Sequence, residues 1–248
     1  MIQAVYISHQ GNTREKNEDN ICFNRKYLPL NHQFNCSKSV KEIDNVPAIF
    51  AVFDGIGGEC YGEVASFISA RELSNWDKGI KSRKSITTLV NYLNECVYKE
   101  SDRLKAKTMG TTFSMVLLYK KTVWISNLGD THIYLYRDNR LTLLSEEHTD
   151  KEILKVLKIN SKPRLTQYLG INSKSGFVLE PYIINKRIRK NDIFIICSDG
   201  LTDEVTDKEL EIIIEKNQSI DLIQKELLTL VLSRKGNDNI SMIICKVQ

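Results

Sequence analysis

The 248-residue chain predicts an α+β fold, layered rather than built as a doubly wound parallel sheet, and three features of its pattern lead there. Strand-like and helix-like stretches come in blocks. Residues 110–144 carry successive strand patterns with no helix between them, whereas 61–105 and 207–233 each carry two helical ones. Long apolar runs end beside glycine on single aspartates: AIFAVF before Asp54, VWISNLG before Asp130 and DIFIICS before Asp199. Such unbroken runs suit strands covered on both faces. No internal repeat, low-complexity tract or linker interrupts the chain, so residues 1–248 are expected to form one domain.

Taken in order, IQAVYI at 2–7 reads as a strand, and Ser8–Asn20 as a polar segment before a short strand, ICF. Residues 24–47 mix Pro29, Asn31 and Pro47 with many charges and are expected to form a long hairpin loop. After the 48–53 strand and its glycine turn, Val64, Ala65, Ile68 and Leu73 recur at helical spacing within 61–75. Ile86, Leu89, Val90, Leu93, Val97 and Leu104 do the same within 85–105. TTFSMVLLY, TVWISNL, HIYLYR and LTLL then read as strands, with an Asp138-Asn139 turn between the last two. Residues 145–163 are polar and weakly helical up to Pro163. LTQYL, FVLEPYII and DIFIICS predict further strands, 207–215 and 219–233 two helices, and 240–247 a last strand.

Composition excludes several classes. Apolar content of 42% with 27% charged residues is that of an ordinary globular protein. The net charge of +4 is mild and scattered; the densest cluster, KRIRK at 186–190, alternates with apolar positions and reads as an edge strand or loop. No basic stripe of the kind nucleic-acid binding needs is present. Cys22, Cys36, Cys60, Cys96, Cys197 and Cys245 show no CxxC spacing and read as reduced thiols of a cytosolic protein. With no signal pattern and no apolar run approaching 18 residues, the expectation is a soluble cytoplasmic protein with no membrane partner.

The acidic strand ends carry the chemistry. Any one Asp-Gly pair is an ordinary turn former. A fourth acid, Asp238, sits in KGNDNIS just before the last apolar run, and a packed sheet would bring such ends together. Two carboxylates about 5 Å apart repel by roughly 3 kcal/mol at an effective dielectric of about 20, so a cluster of four calls for cations. Oxygen-only ligands favour Mg2+ or Mn2+ over zinc. Such ions would bridge a water, lower its pKa and hold a phosphoryl oxygen opposite it, so hydrolysis would need no protein nucleophile. The chain matches that: no cysteine has arginine at the sixth following position, and no G-x-S-x-G elbow or Walker A loop occurs.

The segments GNTREKNEDN, FAVFDGIGGECYGEVAS, MGTTFSMVLL, ISNLGDTHIYLYR, LTQYLG, CSDGLTDEV and GNDNISMII resemble, in order, the successive motifs of the metal-dependent type 2C (PPM) serine/threonine protein phosphatases, bacterial branch. The match runs from about residue 8 to the C-terminus. The resemblance implies a four-layer α-β-β-α sandwich of two antiparallel sheets flanked by helices, with the metals between the sheet ends. It implies that Asp54 bridges two Mg2+ or Mn2+ ions and that Gly55 ligates one through its carbonyl. Asp199 and Asp238 match holders of the first metal, and Asp19 an acid that meets the second largely through water. Asp130, with Asp199, matches the holders of a third metal. Arg14, five residues before Asp19, matches the phosphate-binding arginine, a task suited to a guanidinium's bidentate fork. Gly110, Thr111 and Thr112 match a GTT segment of structural purpose.

The chain departs from the pattern where many bacterial members carry His after DGxGG: that residue is Glu59, and a role as general acid would require a raised pKa. His9, His32, His132 and His148 match no catalytic positions, and His148 reads as structural. Thr131 replaces a usual serine and Gln167 a usual arginine; the 149–164 flap is short and the 24–47 loop long. The expected function is hydrolysis of phosphoserine and phosphothreonine in phosphorylated proteins, substrates of a Ser/Thr kinase, by a monomer. A pseudophosphatase binding module and a two-metal hydrolase of small phosphoesters are the alternatives.

Overall fold

The strand Ala48–Phe53 explains the layering. All six residues are buried, and strand alternation sends Ile49, Ala51 and Phe53 to one side and Ala48, Phe50 and Val52 to the other. A strand with two apolar faces needs cover on both. The computed structural model describes residues 1–36, 47–56, 61–172 and 175–248. In it, that strand lies inside a six-stranded sheet whose order, edge to edge, is Tyr182–Arg187, Thr122–Leu128, Phe113–Tyr119, Ala48–Phe53, Asn20–Phe23 and Lys26–Tyr27. A second six-stranded sheet runs Arg140–Leu143, His132–Arg137, Ile193–Cys197, Ile240–Val247, Ile2–His9 and Phe34–Cys36. Every pairing in both sheets is antiparallel.

Three apolar layers hold these sheets together. Phe50, Val52 and Val116 of the first sheet meet Phe194, Ile196 and Ile243 of the second in the central layer. Phe53, Met115 and Leu117 pack under the helices Gly62–Ser74 and Arg83–Leu104, which supply Ile68, Leu73, Ile86, Leu89 and Leu93. On the far side Ile195, Cys197, Met242 and Ile244 pack under Asp207–Lys216 and Ile220–Ser233 through Leu210, Ile214, Ile223 and Leu227. The result is the four-layer α-β-β-α sandwich. Each fully buried Phe, Ile or Leu contributes roughly 1.5–3 kcal/mol. The helix starts are capped as their sequences allow: Ser82 with Ser85 and Thr206 with Glu209 form capping boxes. Among the described residues, no helix is long and apolar enough to cross a membrane.

Some expected elements come out differently. LTQYL is not a strand: Leu165 and Leu169 each make one isolated bridge, to Thr149 and Thr111, because the segment divides its backbone bonds between two different neighbours. FVLEPYII yields a strand only from Tyr182, after Pro181, whose missing N–H cannot join a ladder. TTFSMVLLY is broken at Thr112, whose N–H donates to the Asp54 carbonyl instead. Residues 145–163 contain one short helix, Lys151–Leu157. In the expected 24–47 loop, Lys26–Tyr27 and Phe34–Cys36 pair as short strands, while 37–46 lie outside the described residues. KRIRK does overlap an edge strand, Tyr182–Arg187.

Candidate active site

The acidic residues sit where strands stop. Asp54 follows Ala48–Phe53, Asp130 follows Thr122–Leu128 by one glycine, Asp199 starts a short helix after Ile193–Cys197, and Asp238 precedes Ile240–Val247. Because the sheets stack, these ends open into one cleft of about 430 Å³, lined by Arg14, Asp54, Gly55, Asp130, Asp199 and Asp238 among others. Six of the seven residues named from the sequence therefore share a cavity. Asp19 stands behind it, 1% exposed, with its Oδ2 accepting a 2.9 Å bond from Ser198 Oγ.

The floor is held from the backbone upward. Asp54 N–H donates to Thr112 Oγ1 at 2.9 Å, and the Asp54 carbonyl accepts from Thr112 N–H at 2.9 Å and Thr111 Oγ1 at 2.8 Å. The break in the expected strand is thus the device that fixes Asp54. Gly55 is required by space, since a Cβ there would lie 2.4 Å from the Glu18 carbonyl and 2.5 Å from that of Gly62. Gly129 turns the chain into Asp130 at φ +105, with Thr112 against it. His148 secures the same turn: its ring accepts from Gly129 N–H at 3.2 Å and its own N–H donates to the Gly129 carbonyl at 3.0 Å. The structural role expected of His148 is borne out.

The carboxylates perturb one another. Burial is the largest cause raising the pKa of Asp54 well above the ordinary value, followed by Asp19, Asp199, Asp130 and Asp238. Burial likewise lifts Asp19, against the hydrogen bonds of Ser241 and Ser198, with Asp199 and Asp238 pushing the same way. Asp130 rises to about 7 through burial and then Asp199. Asp199 rises through burial, Asp238 and Asp203. Without added positive charge, this floor holds protons that a lone aspartate would have released.

That is the electrostatic condition a divalent cation relieves. The donors are all oxygen, which fits Mg2+ or Mn2+, and Asp19 Oδ1 is buried with no hydrogen-bond partner. Among the described residues, no three His, Cys, Asp or Glu side chains close around a single point, so the carboxylates are neighbours without forming a cage. An open set suits ions that keep much of their water shell.

Arg14 reaches the rim but is not free: its Nη2 lies 2.7 Å from Asp238 Oδ2. Lining residues missed from the sequence include Glu18 and Lys162. Glu18, beside Asp19 in the same NEDN motif, lines the cleft, and the adjacent acid was signal enough to include it. Lys162, from the flap, lines it too, and its positive charge opposes the rise at Asp130, Asp199 and Asp203. An isolated lysine in a polar segment carries no sequence signal. Glu59 lies outside the described residues.

Comparison with known proteins settles the relationship. A family model described as protein phosphatase 2C matches residues 36–227, well over half of the chain. The chain belongs to the protein phosphatase 2C family. It is therefore a metal-dependent protein serine/threonine phosphatase acting on phosphoproteins. Similar relatives include a serine/threonine phosphatase stp of Listeria welshimeri, 28% identical over 98% of this chain and 95% of that protein. The serine/threonine protein phosphatase PstP of Mycobacterium tuberculosis is 27% identical over 80% of this chain and 40% of its own length. Among solved structures, a bacterial serine phosphatase superposes with a TM-score of 0.81 at 24% identity, covering 99% of this chain and 97% of its own. The catalytic domain of PstP in complex with two manganese ions gives 0.76 at 23% identity, covering both chains fully.

Proposed function

We propose that this phosphatase 2C chain gathers its Mg2+ or Mn2+ ions with Asp54, Asp199, Asp238 and the Gly55 carbonyl, with Asp19 behind them. Asp130, together with Asp199, forms the place for a third ion. The observation that carries this reading is the convergence of acids from four remote strand ends on one cleft, each of Asp54, Asp130 and Asp199 pushed toward its protonated form. The manganese ions held by the PstP catalytic domain support it by analogy.

When bound, the ions would supply a water of lowered pKa and charge neutralisation for the phosphoryl oxygens. The rest falls to the chain. Arg14 leaves Asp238 for the arriving phosphate dianion, a better-matched acceptor for its two-pronged guanidinium. Thr111 and Thr112 keep Asp54 from moving as charge builds on the phosphate. With the ions bound, hydrolysis would need no protein nucleophile, and no cysteine lines the cleft among the described residues. The single domain 1–248 is proposed to act as a cytoplasmic monomer on substrates of a Ser/Thr kinase, without nucleic-acid or membrane contact.

The test compares wild type with Asp199→Asn on p-nitrophenyl phosphate and a phosphothreonine peptide. Turnover should require Mn2+ or Mg2+ and collapse in the folded variant. Metal-independent turnover, or an Asp199→Asn enzyme as fast as wild type, would remove the assignment.

A further inference from the structure

The flap meets the rest of the cleft along a seam that the chemistry above does not use. Its root is tied to the loop carrying Asp130. Asn127 Oδ1 accepts from Glu146 N–H at 3.1 Å, and Asn127 Nδ2 donates to the Glu146 carbonyl at 2.6 Å. Ile133 N–H donates to Ser145 Oγ at 3.0 Å, and His148 holds Gly129 through both ring and backbone. These bonds make one body of the flap root and the Asp130 loop, and none of them reaches the Asp199 side. There a helix of only four residues, Asp199–Thr202, follows the strand Ile193–Cys197. A single helical turn has little hold on its own geometry.

His132 spans the seam. Its backbone pairs opposite Cys197, which sets the two strands side by side, and its buried ring then bonds what lies beyond their ends. The ring stacks on Tyr134 with centroids 5.8 Å apart. Its Nε2 lies 3.2 Å from Glu147 Oε1 in the flap root, and its Nδ1 lies 3.2 Å from Thr202 Oγ1 at the end of the Asp199 helix. Proton counting fixes the direction of both bonds. Burial raises the pKa of Glu147, but the His132 bond and the Lys151 charge outweigh it and hold the carboxyl below its ordinary value. An ionised carboxylate only accepts, so Nε2 carries the proton, and Nδ1 of the neutral ring accepts from the Thr202 hydroxyl. The other acceptor within reach of that hydroxyl, the Asp199 carbonyl, is farther away at 3.4 Å. Each group thus has one role, and no proton is claimed twice.

We propose that His132 is a positioning residue for the place of the third ion: it clamps the flap root and the Asp130 loop to the Asp199 helix, and so holds the two aspartates at one spacing. The inference rests on the reading of Asp130 and Asp199 as joint holders of an ion. A small divalent cation demands near-ideal ligand geometry, so two carboxylates on separate elements serve it only when those elements are fixed to each other. That place shares Asp199 with another ion and adds one carboxylate of its own. It is therefore the weakest of the three and the one the clamp governs.

Four proteins test the clamp. Beside wild type stand His132→Phe, which keeps a ring on Tyr134 without either nitrogen, His132→Gln, which returns one donor and one acceptor, and Thr202→Val. In metal-free protein, amide hydrogen exchange at Glu146 and His148 should be about tenfold faster in His132→Phe, the scale of one hydrogen bond lost, and close to wild type in His132→Gln. Equal exchange in all of them would overturn the clamp. In calorimetric Mn2+ titration, His132→Phe should bind the weakest ion about tenfold less tightly, the scale of an outer-shell loss, with the tighter ions unchanged. Thr202→Val should weaken the same ion, and His132→Phe added to it should have little further effect. Additive losses in the double variant, or equal losses at every ion, would show a structural role only and defeat the proposal. A wild type without a weaker ion would defeat the reading of Asp130 and this inference together; Mn2+-dependent turnover of p-nitrophenyl phosphate would then leave the assignment of the other ions standing. Nitrogen NMR of wild type at about pH 8, above the ordinary histidine range, should find His132 protonated on Nε2 alone, and a proton on Nδ1 would sink the proposal without any variant.

Discussion

Asp54 and Asp199 at the floor of the cleft are raised in pKa chiefly by burial and then by neighbouring carboxylates, Asp19 first for Asp54 and Asp238 first for Asp199, and the floor is bolted to neighbouring strands through Thr111 and Thr112. Arg14 and Lys162 at its rim are exposed; Arg14 has one carboxylate contact, and Lys162 acts on the acids by its charge across the opening. The floor lies in a low-dielectric environment where each charge weighs heavily, while the rim is in water and salt. A carboxylate deleted from the floor should therefore change both chemistry and stability, whereas a rim cation should change how substrate and metal arrive.

The largest effect is expected at Asp54. Asp54→Asn should reduce Mn2+-dependent turnover by about a thousandfold or more, the several kcal/mol that a metal's charge stabilisation is worth. Its thermal stability without metal should exceed that of wild type near pH 8, because one of the mutually repelling charges is gone. The pH dependence follows from the signs. Carboxylates whose folded pKa is raised stabilise the fold fully only below their unfolded value, and that contribution is lost as pH climbs through the folded one. Metal-free wild type should thus lose stability from about pH 4, the ordinary aspartate value, up to about 7, where Asp130 titrates. Mn2+ should reverse the trend. Melting temperatures with and without chelator, in wild type and Asp54→Asn, would show it; parallel pH curves for the two proteins would sink the account.

Thr112 separates the support of the floor from its charge. Thr112→Val keeps the shape against Gly129 but removes the acceptor of the Asp54 N–H. A cost of about 1–2 kcal/mol in stability and a fall of about tenfold in kcat, with KM little changed, is the expected pattern. At the rim the pattern should invert. Arg14→Ala should raise KM for p-nitrophenyl phosphate about tenfold while leaving stability within about 1 kcal/mol, since its pair with Asp238 is half exposed.

What could be read from the sequence follows the same division. Floor residues were legible because burial forces a signature: apolar runs of fixed period ending in an acid beside glycine mark Asp54, Asp130 and Asp199. The sheets and four of the helices were legible for the same reason, each burying an apolar face at its own period. Thr112 broke an expected strand because its backbone serves Asp54, a contact 58 residues away that no local pattern encodes. LTQYL looked like a strand by composition, but only its tertiary neighbours decide that it forms isolated bridges to Thr149 at one end and Thr111 at the other. Lys162 left no mark, because a solvated cation on a polar flap obeys no periodicity.

Lys162 gives the smallest and most discriminating test of the contrast. Its charge holds down Asp130, Asp199 and Asp203 from across the opening, and no ion pair of its own anchors it to any of them in the structure. Removing that charge in Lys162→Gln should do two opposite things. Protons should be held more tightly, so the acidic limb of the pH–rate profile should move toward higher pH by a few tenths of a unit. Once the carboxylates are ionised, near pH 8, Mn2+ should bind about two- to threefold more tightly, because a neighbouring like charge has gone. Both shifts should disappear in about 1 M salt, where the screening length falls to about 3 Å, while the effects of Asp54→Asn and Thr112→Val persist. If the Lys162→Gln shifts survive high salt, the flap cation belongs electrostatically to the floor and the division drawn between the two regions is wrong.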